Sequence, residues 1–136
     1  KRLRIVDELE RLSDYFSAFD SIYKEEIKGD TANKLATLTG HLMTHQWGNR
    51  SIRQQNECQA VCDEVRLMYQ IRNDYEHGRI RDALRKAEKP EAFKERVRLI
   101  GYYLKQTAMI YIMNDDFDVQ VVQVAQGHCS GLNSVY

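Results

Sequence analysis

The chain has 136 residues, 43% of them hydrophobic, and its twenty basic side chains balance twenty acidic ones to a formal net charge of zero. That length suits one domain with a core of its own, and the balance argues against a protein built as one uniform field for a polyanion. One proline and seven glycines exclude a sandwich of many short strands, and no apolar run approaches the roughly 20 residues that span a bilayer.

The first element predicted is a long amphipathic helix from Arg4 to Lys28, where Leu9, Leu12, Phe16, Phe19, Tyr23 and Ile27 recur three and four apart. Ser13-Asp14 offers a place for it to break and recap. Lys28-Gly29-Asp30 is a stop followed by a cap, and Thr31 to Met43 form a second helix on Leu35, Leu38 and Leu42. Trp47-Gly48-Asn49 with Ser51 reads as a loop. A third helix runs from Gln54 to His77, and Arg79 to Glu88 form a short one. Pro90 suits the first turn of the helix that follows, Glu91 to Met113, with Phe93, Val97, Ile100, Leu104, Ala108 and Tyr111 on one face. From Asp118 to Val124 the chain is β-branched and partly alternating, which predicts a short strand or extended arm. The expectation is an all-α fold, an antiparallel bundle of about four main helices over 1–113, with a C-terminal extension over 114–136. Lys1 stands where a complete chain would have methionine, which fits a domain cut from a longer protein. Three cysteines, Cys58, Cys62 and Cys129, suit a reducing, cytoplasmic setting without a disulfide framework.

The chemistry concentrates in Tyr69 to Gly78. Cys58, Val61, Cys62, Val65, Met68 and Tyr69 form one apolar stripe, and the next position on it is Arg72, a permanent charge aimed toward the packed side. Asn73 and His77 are four apart and share another edge, and Gly78 can end the helix in the left-handed conformation. Guanidinium matches phosphate oxygens and stays charged, while imidazole exchanges protons near neutrality. Arg72 is therefore a candidate phosphate clamp, His77 a candidate acid or base, and Asn73 a candidate orienting group. On an ideal helix Arg72 and His77 lie roughly 140° apart, so they converge only if the last turn loosens or if two copies share the site. A structural alternative pairs Arg72 with a carboxylate such as Asp7 and leaves His77 as a cap.

Arg79 to Arg98 hold eight basic residues against four acidic ones, which suits either a solvated ion-paired helix face or a basic approach to a phosphodiester. His41, His45, Cys58 and Cys62 have the spacing of a zinc site between two helices, and equally of core cysteines beside polar histidines. Trp47, Tyr102, Tyr103 and Tyr111 are base-stacking candidates or core residues. His128 and Cys129 form no recognisable catalytic pair, and no metal or cofactor is expected.

Arg72, Asn73 and His77 near the end of a third helix, Leu67-Met68-Tyr69 before them, Gly78 after, and Asp7, Leu9, Glu10 and Leu12 in the opening helix carry a resemblance. Over roughly Leu3 to Ile112 the chain resembles the HEPN domain family, and within it the Apea-like branch. The resemblance implies a metal-independent endoribonuclease whose homodimer joins two Arg/His sites in one cleft, with a role in bacterial anti-phage defence by abortive infection and RNA such as tRNA as target. Arg79 stands where one branch has a tyrosine, and Asn73 matches the broad family where the Apea-like pattern often has serine. The alternative is a non-catalytic helical module for RNA binding or dimerisation.

Overall fold

The computed structural model describes residues 2–23, 29–44 and 51–113. Within them lie α1 (Arg2–Tyr23), α2 (Thr31–Thr44), α3 (Ile52–Glu76), α4 (Ile80–Ala87) and α5 (Pro90–Met113). The described chain is all helical. The loop expected at Trp47-Gly48-Asn49, the strand or arm expected over 118–124 and the rest of 114–136 lie outside the described residues, as do Ile27, His45, His128 and Cys129. No helix among the described residues is long and apolar enough to cross a membrane.

The periodic apolar positions build the core. Leu9, Leu12, Phe16, Phe19 and Tyr23 of α1 are buried against Leu35, Leu38 and Leu42 of α2, Cys58, Cys62, Val65 and Met68 of α3, and Phe93, Val97 and Ile100 of α5. At about 25 cal/mol per Å² of apolar surface removed from water, this shared cluster supplies the main drive for folding. On α5 the inward face continues through Tyr103 and Thr107, with Leu104 only partly buried. Tyr102 faces outward and Tyr103 inward, which separates two of the aromatic candidates into a surface residue and a core residue.

Cross-helix contacts give the directions. Ser13 meets Glu76 and Asp20 meets Arg72, so α1 and α3 run oppositely. Asn33 meets Arg66 and His41 meets Cys58, so α2 continues along α3 in the direction α1 began. Glu64 meets Arg96, while Val61 shares a groove with Tyr102 and Ile110, which sets α5 opposite to α3. α1 and α5 run the same way: Asp7 and Glu8 lie by Pro90 and Lys94, and Tyr15 lies on Gly101. A Cβ at Gly101 would sit 2.7 Å from Tyr15 Cζ, so the absent side chain is what lets the ring approach the α5 backbone.

Two boundaries differ from expectation for local reasons. α1 runs through Ser13-Asp14 without a break, because Ser13 Oγ donates to Glu76 Oε1 of α3 at 2.7 Å instead of capping a new helix. α3 begins at Ile52, two residues early, because Ser51 and Gln54 form a capping box: Gln54 N donates to Ser51 Oγ and Ser51 N donates to Gln54 Oε1.

Candidate functional site

The end of α3 is fixed by a Schellman turn. Gly78, at φ 77°, adopts the left-handed conformation, Gly78 N donates to the Tyr75 carbonyl at 3.2 Å, and Arg79 N to the Asp74 carbonyl at 2.8 Å. The apolar contact that often accompanies this turn is replaced by charge. Arg79 Nε donates to Asp74 Oδ1 at 2.9 Å and Lys86 Nζ of α4 donates to Oδ2 at 2.6 Å. These bonds, the Lys86 one foremost, hold the buried Asp74 carboxyl below its ordinary proton affinity despite its burial. The motif thus pins α4 to α3 and sets the backbone on which His77 sits.

Arg72 occupies the stripe position expected of it, with its side chain 9% exposed. Each of its three guanidinium nitrogens faces an oxygen. Nη1 donates to Asn73 Oδ1 at 3.2 Å, Nη2 to Asp20 Oδ2 of α1 at 3.4 Å, and Nε lies 3.1 Å from Glu76 Oε2. The Nε N–H does not point at that oxygen well enough for a hydrogen bond, so the contact is an ion pair only. The Tyr69 ring lies beneath, its centroid 5.2 Å from Arg72 Cζ. The acidic mates are Asp20 and Glu76; Asp7, the carboxylate suggested by sequence, lies instead in the cleft by Pro90 and Lys94.

Asp20 is a poorly satisfied carboxylate. Oδ1 is buried and accepts no hydrogen bond among the described residues, and Oδ2 has the single 3.4 Å contact with Arg72. Burial raises its proton affinity, Arg72 opposes that, and Glu76 adds to it. Tyr69 is pushed up in the same way, by burial first and then by Asp20.

The structure joins Arg72 to Asn73 and keeps His77 one turn from Asn73, but it does not bring His77 to Arg72 within one chain. His77 is exposed, and its N–H still bonds to the Asn73 carbonyl at 3.0 Å, the acceptor four residues back in an unbroken helix. The turn carrying both residues has not loosened, so the roughly 140° separation of an ideal helix persists.

Sequence reasoning missed Asp20 and Glu76. Asp20 carried a signal, an acid directly after Phe19 at the margin of the α1 stripe; Glu76, four residues after Arg72, carried the spacing of a helical ion pair.

The basic run is largely neutralised. Arg79 and Lys86 pair with Asp74, Arg85 with Asp82, Arg96 with Glu64 and Arg98 with Glu95, while Arg81, Lys89 and Lys94 are exposed. On the other side of α3, His41 Nδ1 lies 2.9 Å from the Thr37 carbonyl and 3.8 Å from Cys58 Sγ, and Cys62 Sγ accepts from Arg66 Nη2 at 3.2 Å. Among the described residues no three His, Cys, Asp or Glu side chains converge as a metal site.

Compared with known proteins, the chain matches no family model, no curated protein and no solved structure.

Proposed function

We propose that the chain is a HEPN-type, metal-independent endoribonuclease whose working site forms between two copies. One observation carries this: Arg72 and Asn73 meet side chain to side chain at 3.2 Å, and an exposed His77 follows on the turn that Gly78 closes. Arg72 holds the scissile phosphate and stabilises its added charge. The His77 imidazole of the other copy takes the proton from the 2′-hydroxyl, the 2′-oxygen attacks phosphorus, and the bond to the 5′-oxygen breaks as that imidazolium returns the proton to it. The products are a 2′,3′-cyclic phosphate and a 5′-hydroxyl, with no metal in the balance. The intact last turn, which leaves His77 roughly 140° around the helix from Arg72 of its own chain, favours two copies.

α5 suits that assembly. Leu99, Tyr102 and Met109 are exposed, and with Ala92, Glu95 and Gln106 they alternate three and four apart, as on a helix that packs against another helix. The antiparallel bundle belongs to the same reading, supported by the opposed runs of α3 against α1, α2 and α5. The role in anti-phage defence, the choice of tRNA and the cytoplasmic setting rest on the resemblance and on composition.

The test is to incubate the purified chain and its His77→Ala variant with a bulk tRNA and mRNA mixture and map cut ends. Cleavage by the parent that persists in chelator and is absent from the variant supports the proposal; equal cleavage by both overturns it.

The engagement of Arg72 by Asp20 and Glu76 favours a second function, a non-catalytic helical module that binds RNA or dimerises. It predicts stable complexes without strand scission, and an Arg72→Ala variant that loses assembly instead of turnover.

A further inference from the structure

We infer that Asp20 is an internal competitor for Arg72, a carboxylate occupying the guanidinium edge that a phosphate would take and keeping the site closed until it is displaced. The inference rests on the proposed phosphate-binding role of Arg72 and adds its regulation.

A phosphate clasped by arginine needs two parallel N–H groups on one edge. In this chain Nη1 is held by Asn73, Nη2 by Asp20, and Nε stands beside Glu76, so each of the three nitrogens already faces an oxygen. The two carboxylates against one guanidinium leave a local formal charge of minus one, which repels an incoming anion. One of these contacts must therefore give way before an anion binds.

Asp20 is the contact built to yield. A carboxylate that holds a fold together is short-bonded and well satisfied, and Asp74 provides the comparison within the same chain: two cations at 2.9 and 2.6 Å and a side chain 8% exposed. Asp20 has one contact at 3.4 Å, one oxygen buried without a hydrogen bond, and a side chain 37% exposed. Glu76 is anchored, since Ser13 Oγ donates to its Oε1 at 2.7 Å, and Asn73 is a neutral neighbour that a phosphate can share. Asp20 also belongs to α1, so releasing it needs only a side-chain rotation and leaves the α3 backbone in place.

The test measures binding of a short labelled single-stranded RNA to the full chain, using His77→Ala as the parent so that the probe stays intact. Asp20→Asn, nearly the same shape without the charge, tightens binding about fivefold or more, the lower end of measured couplings. Asp20→Ser, checked for folding by its thermal transition, moves the same way. In an Arg72→Ala background the gain from Asp20→Asn disappears, because the competition is for that guanidinium. If Asp20→Asn binds RNA equally or more weakly while Arg72→Ala binds worse than the parent, the competitor role is overturned and the nuclease assignment stands. If Arg72→Ala binds as well as the parent, both are overturned.

Discussion

Arg79 is bonded to Asp74 twice, by its backbone N–H to the Asp74 carbonyl and by Nε to Oδ1. The same carboxylate takes Lys86 through its other oxygen, so one side chain closes α3 and docks α4. Asp74→Ala leaves two cations without their acid and removes the charge complement of the turn. The expected loss is about 2 kcal/mol, below the figure for a fully buried pair because Arg79 and Lys86 reach solvent. The denaturant midpoint measures it. Asp74 has a depressed proton affinity, so its contribution is present above the ordinary aspartate value of 3.8 and is lost as pH falls through the lower folded value.

Asp20 has the opposite sign. Its proton affinity is raised, first by burial, so its contribution is full below pH 3.8 and is lost as pH rises through the higher folded value. Asp20→Asn is therefore expected to melt above the parent at pH 7 and to lose that advantage in acid. Thermal transitions of the two proteins across this range check it; a variant melting below the parent at pH 7 contradicts it.

Gly101→Ala places a methyl 2.7 to 2.9 Å from the Tyr15 ring tip and hydroxyl, closer than any ordinary contact. The expected cost is about 1–3 kcal/mol, as for other overpacked sites. In a Tyr15→Leu background the same substitution costs much less, because the obstructing ring is gone. Equal costs in both backgrounds would show that α1 and α5 do not meet there.

The long helices were legible because their apolar positions recur at helical spacing: Leu9 through Tyr23 and Phe93 through Ile100 are buried as their pattern demands. The burial of Arg72 was legible by the same rule, as the continuation of a stripe. What bonds to it was not, because Asp20 is 52 residues away in sequence and periodicity says which face a residue occupies, not which residue stands opposite. The local misses had local causes. Ser51 and Gln54 have the spacing of a capping box but sit beside a glycine-containing stretch that reads as loop, and Ser13 resembles a cap while its hydroxyl is committed to Glu76. The close approach of Tyr15 to Gly101 follows from the meeting of two distant helices.

The central claim is that Arg72 of one copy and His77 of another act on one phosphate, and mixing two inactive variants tests it most directly. Arg72→Ala and His77→Ala are each expected to cleave no RNA. Co-refolded in equal amounts, they form mixed dimers in which one site regains both groups. Half the dimers are mixed and each has one intact site of two, so about a quarter of the parent rate returns. A mixture that exchanges subunits yet stays as inactive as its components contradicts the shared site.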